Sequence, residues 1–184
     1  MMDNAANRCM KTAMSESHFE LALGDSQATE ALGAALARSY LGGLRDGAVM
    51  YLHGELGVGK TTCVRGLLRA LGVDGLIRSP TYTLVEAYQP GGLTCIHVDL
   101  YRLQGPVEVD ELGLRDYFDT ECLLMVEWPE KGGAALPPAD LQLTLSYAGD
   151  SRQARLEAST ARGRRWLEKL VHDTSLTSYV SNLT

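Results

Sequence analysis

The amino-acid sequence predicts an α/β fold of three layers. A mixed, mostly parallel sheet is flanked by helices and contains an antiparallel hairpin. Three observations predict it. Residues 49–52 are an apolar run that leads directly into a glycine-rich stretch and then a helical pattern. Residues 122–127 (C-L-L-M-V-E) stay apolar up to their final acid, the pattern of a central strand buried on both faces. Residues 83–88 and 93–99 have strand composition and flank Pro90-Gly91-Gly92, which reads as the turn of a hairpin.

Taken in order, residues 1–17 are polar and irregular and read as a disordered N-terminal segment. Residues 18–172 read as one domain, and the Ser/Thr-rich residues 173–184 as a flexible tail. Residues 18–23 alternate and suggest a short edge strand. Asp25 or Ser26 can cap a helix running to about Tyr40, with Ala28, Leu32, Ala35, Leu36 and Tyr40 on its core face and Gly42-Gly43 ending it. A second helix follows the glycine-rich stretch, with Val64, Leu67, Leu68 and Leu71 on one side. Residues 77–82 form a loop fixed by Pro80. Residues 107–118 suggest two short helices separated near Gly113, and 131–138 a Gly/Pro loop. Leu141, Leu143 and Leu145 alternate along a strand, residues 154–158 return as its partner, and residues 163–171 form a last helix.

With 184 residues, 45% hydrophobic and 22% charged, the chain suits one soluble globular domain. A net charge of −6 argues against a broad, autonomous nucleic-acid surface, while leaving room for a local basic patch. The cysteines (Cys9, Cys63, Cys95, Cys122) form no CxxC pair and read as thiols of a reducing cytoplasm. Cys95, His97 and Asp99 share one strand face; packing explains them better than a metal. No run is long enough to span a membrane, and the N-terminus lacks the apolar core of a secretory signal, so a cytoplasmic protein is expected.

The glycine-rich stretch is Gly54-x-x-x-x-Gly59-Lys60-Thr61, a complete phosphate-binding loop (Walker A) in its strand–loop–helix context. It makes the predicted fold one of P-loop NTPase type. Its glycines let backbone N–H groups turn toward phosphate oxygens, and the helix that follows adds its positive end. Glu55, Leu56, Gly57, Val58, Gly59, Lys60, Thr61 and Thr62 are therefore the expected nucleotide cradle. Lys60 brings a point charge to the β/γ-phosphates, and the Thr61 hydroxyl is placed to ligate Mg²⁺.

Chemistry also needs acids near the terminal phosphate. Two predicted strands end in one, Asp99 and Glu127. If both strands run parallel to residues 49–52, both acids reach the rim beside Lys60 and Thr61. Either acid can hold Mg²⁺ or orient an attacking water, and the sequence does not divide the roles. Lys60, Asp99 and Glu127 are the expected catalytic set, and Thr61, Asp99 and Glu127 the expected metal set. Ser79, Pro80, Thr81, Tyr82 and Thr83 form a switch-like loop in which Thr81 either senses the γ-phosphate or bonds its own backbone. Trp128 either stacks near the nucleotide, lines a partner surface or packs in the core; Tyr101, just after Asp99, is placed similarly, and Arg102 is placed to touch phosphate or structure the acid loop. No Asn/Thr-Lys-x-Asp guanine motif is present, which favours ATP over GTP; Ser26 and the turn carrying Ser151 and Arg152 are candidate base contacts.

Five segments carry a family resemblance: G-E-L-G-V-G-K-T-T at 54–62, S-P-T-Y-T-L-V-E at 79–86, H-V-D-L-Y-R-L at 97–103, G-L-R-D-Y-F-D at 113–119 and V-E-W-P-E-K-G at 126–132. In order and spacing the chain resembles the TsaE (YjeE) family of tRNA threonylcarbamoyladenosine biosynthesis ATPases over roughly residues 20–160. Glu55 stands where that family usually has Asp, and Val58 where Ala is common. The resemblance implies a cytoplasmic, Mg²⁺-dependent ATPase that acts with TsaB and TsaD on tRNA and is weak alone. It implies that carbamoyl transfer belongs to TsaD, that Asp99 and Glu127 are the essential acids, and that Trp128 lies near the nucleotide. The alternatives are a P-loop small-molecule kinase and a non-catalytic nucleotide-dependent module; a kinase commonly has an arginine-rich lid, but the alternating and helical contexts of Arg152, Arg155, Arg162, Arg164 and Arg165 read as an ordinary solvated face.

Overall fold

The computed structural model describes residues 14–15, 18–42, 47–114 and 122–180. Cys9, Gly43 and most of the predicted N-terminal segment lie outside them, as does the second of the two short helices expected in residues 107–118. The strands are β1 (Met14–Ser15), β2 (His18–Leu23), β3 (Ala48–His53), β4 (Val85–Tyr88), β5 (Thr94–Asp99), β6 (Cys122–Glu127), β7 (Leu141–Ala148) and β8 (Ser151–Ala158). The helices are α1 (Ser26–Leu41), α2 (Lys60–Ala70), α3 (Pro106–Asp110) and α4 (Ala161–Val171).

The strands form one eight-stranded sheet in the order β1-β2-β8-β7-β3-β6-β5-β4. The centre, β7-β3-β6-β5, is parallel, and every pair outside it is antiparallel. The predicted hairpin is β4–β5, with Val85 opposite Val98 and Tyr88 opposite Cys95. β2 is not an edge strand: it lies between β8 and β1.

Period-2 alternation splits the core into two layers. Met50, Leu52, Cys95, Leu123 and Met125 join α1, α2 and α4 on one face. Ile96, Val98, Leu124 and Val126 join Leu103, Val109 and Leu136 on the other. Every residue of β6 is buried, as a central strand requires. Asp25 caps α1 by accepting from Ala28 N–H at 2.7 Å, and the five expected core residues of that helix are all buried. Cys63 and Cys95 are buried thiols, and burial pushes each up to about 12.

α1 and α2 touch backbone to backbone. A Cβ at Gly33 would lie 2.0 Å from the Cys63 carbonyl oxygen, and one at Gly66 2.1 Å from that of Glu30. This contact fixes where α2, and so the phosphate loop at its start, sits on the sheet. Gly33→Ala is therefore expected to lower unfolding free energy by about 2–3 kcal/mol, because rigid backbone must move apart to admit the methyl. Urea denaturation checks this; an unchanged midpoint would contradict the close approach.

The expectation of a flexible tail after His172 is corrected for residues 173–180. Thr174–Tyr179 form a 3₁₀ turn, Leu176 is fully buried, and Val180 bridges to Leu21. Arg38 Nε donates to Asp173 at 2.9 Å, and that guanidinium with the Ser175 donors holds the Asp173 carboxyl below its usual value, against the opposing effect of burial. The 131–138 stretch is likewise partly ordered by 3₁₀ turns at Pro129–Lys131 and Gly133–Ala135. No helix among the described residues is long and apolar enough to cross a membrane.

Candidate nucleotide site

The phosphate loop joins β3 to α2. Gly54 has φ 132° and Gly59 φ 122°, a region that L side chains rarely adopt. A Cβ on Gly54 would also meet the Leu145 carbonyl oxygen at 2.3 Å, so glycine is required there twice over. Val58 is fully buried and pins the loop to the core, while Arg152 Nε donates to the Val58 carbonyl at 2.9 Å from behind. Gly59 offers α2 no side-chain cap, so the first-turn N–H groups carry the positive end of an uncapped helix.

Lys60 is the first residue of α2 and nearly buried. Its ammonium donates to the Gly54 and Glu55 carbonyls at 2.6 and 2.9 Å and lies 3.9 Å from the centre of the Trp128 ring. Burial pulls it below its ordinary pKa, and the carboxylates of Glu127, Asp99 and Glu130 oppose that pull.

β5 and β6 are parallel to each other and β6 to β3, so the condition for gathering both acids holds: Asp99 pairs directly with Glu127 at the carboxyl ends. Thr61 Oγ1 donates to Glu127 Oε1 at 2.7 Å, and His97 Nε2 reaches the same oxygen at 2.9 Å. Asp99 Oδ2 accepts from Ser79 at 2.5 Å and Thr81 at 2.9 Å, and Oδ1 from Tyr101 N–H at 3.0 Å. Thr81 thus bonds the acid rather than its own backbone, and it ties the 79–81 loop to β5. Trp128 adopts left-handed backbone (φ 59°, ψ 47°), uncommon for a bulky residue, and this bend aims the indole at Lys60. Tyr101 backs it, with ring centres 5.1 Å apart.

These groups face one cleft, walled by Leu56, Gly57, Gly59, Lys60, Thr61, Thr62, Ser79, Thr81, Asp99, Tyr101, Glu127 and Trp128. Other expected residues do not line it. Tyr82 is exposed, and Arg102 stacks on its ring at 4.1 Å. Pro80 is buried, and Thr83 donates to Glu86. Ser26 lies on the exposed first turn of α1, and Ser151 bonds the Ala148 carbonyl. Tyr101, which the sequence offers as a neighbour of the nucleotide on the same grounds as Trp128, is a wall of the cleft, whereas nothing in the sequence pairs His97 with Glu127. The alternation of residues 95–99 places His97 and Asp99 on one face, but only the β5–β6 register reveals what His97 meets.

Thr61, Asp99 and Glu127 supply hard oxygen donors. No group of three His, Cys, Asp or Glu among the described residues makes a self-sufficient metal site. That donor set fits Mg²⁺, which is held by one or two protein oxygens together with substrate phosphates.

Fold and cleft together define a P-loop NTPase-type α/β protein. The chain matches the family model described as "Threonylcarbamoyl adenosine biosynthesis protein TsaE" over residues 23–155. It is 47% identical over 116 residues to the "tRNA threonylcarbamoyladenosine biosynthesis protein TsaE" of Haemophilus influenzae, covering 63% of this chain and 73% of that protein. It is 35% identical over 148 residues to the Bacillus subtilis protein of the same name, covering 80% and 90%. The crystal structure of Bacillus subtilis YdiB superposes with a TM-score of 0.71 at 28% identity, covering 85% of this chain and 97% of that one. This chain belongs to the TsaE family.

Proposed function

We propose that this protein is the Mg²⁺-dependent ATP-binding and ATP-hydrolysing subunit of the machinery that makes threonylcarbamoyladenosine in tRNA. In this reading it is cytoplasmic, acts with TsaB and TsaD, and supports turnover of that complex. The observation that carries the ATPase reading is the Thr61–Glu127 hydrogen bond of 2.7 Å, with Lys60 and Asp99 on the same rim. It joins a phosphate-loop hydroxyl to a carboxylate that lines the cleft. The relatives' names, which specify threonylcarbamoyladenosine biosynthesis, support the pathway.

The chain's residues divide the work as follows. The loop backbone and Lys60 hold phosphate oxygens, and Thr61 with Glu127 or Asp99 would hold Mg²⁺, which supplies charge neutralisation at the phosphates. Glu127 presents a second oxygen to orient water, and Thr81 couples the 79–81 loop to Asp99. The kinase alternative is less well supported, because candidate lid arginines are engaged elsewhere: Arg155 pairs with Glu157 at 2.9 Å and Arg162 with Asp140 at 3.6 Å.

The test is phosphate release from ATP with and without TsaB–TsaD and tRNA. The expected result is slow release alone and faster release with the partners. Release indifferent to the partners, or phosphate transferred to a small acceptor, would overturn the proposal.

A further inference from the structure

The most deeply buried polar contact of the site is not explained by nucleotide binding. His97 is fully buried in β5 and Glu127 nearly so at the end of β6. Their atoms Nε2 and Oε1 lie 2.9 Å apart. An ionised carboxylate only accepts, so the imidazole Nε2–H is the donor. The other ring nitrogen, Nδ1, is buried with no hydrogen-bond partner among the described residues. An apolar residue would avoid that orphaned atom at this position, so the one hydrogen bond the ring gains in the fold is through Nε2.

Oε1 accepts from both Thr61 Oγ1 and His97 Nε2. Two donors from different elements, α2 and β5, therefore fix one carboxylate oxygen and leave Oε2 outside these bonds. We infer that His97 is a positioning residue for Glu127: its Nε2–H locks the carboxylate rotamer so that Oε2 is presented to the cleft. This rests on the ATPase reading above and extends it to a residue that does not touch the cleft. Its effect is expected on the chemical step and not on holding nucleotide, because the loop, Lys60 and Thr61, which would hold the phosphates in that reading, make no bond to His97.

The test compares two side chains of similar length, one with a donor and one without. In the assembled TsaB–TsaD–tRNA assay, His97→Met should lower kcat by about 10- to 100-fold with nucleotide affinity unchanged, and His97→Gln should recover most of the loss. A second readout needs no turnover. The His97 Nε2–H proton of the nucleotide-free protein should give an exchange-protected downfield resonance that disappears in Glu127→Ala. Wild-type kcat in His97→Met, equal losses in the Met and Gln variants, or loss of nucleotide affinity alongside kcat would each overturn the assignment. So would absence of the protected proton. A wild-type protein that fails to hydrolyse ATP in the same assay removes the ATPase reading itself, a result distinct from an unaffected His97→Met.

Discussion

Lys60→Ala is expected to weaken ATP binding by about 100-fold or more, from loss of one buried charge and its phosphate contacts. The ammonium is nearly buried, and its donors already close on the Gly54 and Glu55 carbonyls. The substitution therefore removes the proposed phosphate ligand and also unties the loop that shapes the cradle. Tryptophan fluorescence provides the titration. Trp128 lies against Lys60, whereas Trp166, the other of two tryptophans, is fully buried with its Nε1–H on the Leu36 carbonyl. Nucleotide should perturb Trp128 alone, and Trp128→Phe should silence the signal. An unchanged titration in Lys60→Ala would show that the phosphates do not rest on this loop.

Glu127→Gln is expected to leave nucleotide binding nearly intact and to lower kcat by about 1,000-fold. The amide oxygen can still accept from Thr61 and His97, so the local geometry survives. What disappears is the negative charge of a carboxylate that lines the cleft, the feature that in the proposed function orients water and holds a cation. A fall in affinity with kcat preserved would reassign Glu127 to ground-state metal binding. Full turnover would remove it from the chemistry altogether.

The phosphate loop was legible in the sequence because its residue types answer local demands: glycine at positive φ, a lysine, a hydroxyl, and an apolar strand before them. Asp99 and Glu127 were legible as strand ends because apolar runs stop at them. Their partners were not, because register is a long-range property. Pairing Asp99 with Glu127 brings His97 to Glu127 and lets the 79–81 loop close on Asp99. Ser26 and Ser151 stand out in the sequence only as ends of elements, a signal too coarse to say which way a side chain faces. The terminal stretch misled because Ser/Thr composition hides one buried leucine, Leu176, and an ion pair to Arg38 more than a hundred residues away in the chain. Likewise, β8 starts at Ser151, earlier than its alternation suggests, because pairing with Tyr147 and Ala148 extends the hairpin past the apolar residues.

If this cleft serves tRNA modification, loss of the protein must register in the tRNA itself. Mass spectrometry of tRNA nucleosides from cells depleted of the protein tests it most directly. Threonylcarbamoyladenosine is expected to fall on depletion and to return with the wild-type chain but not with Glu127→Gln. An unchanged threonylcarbamoyladenosine level after depletion, or full restoration by Glu127→Gln, would contradict it.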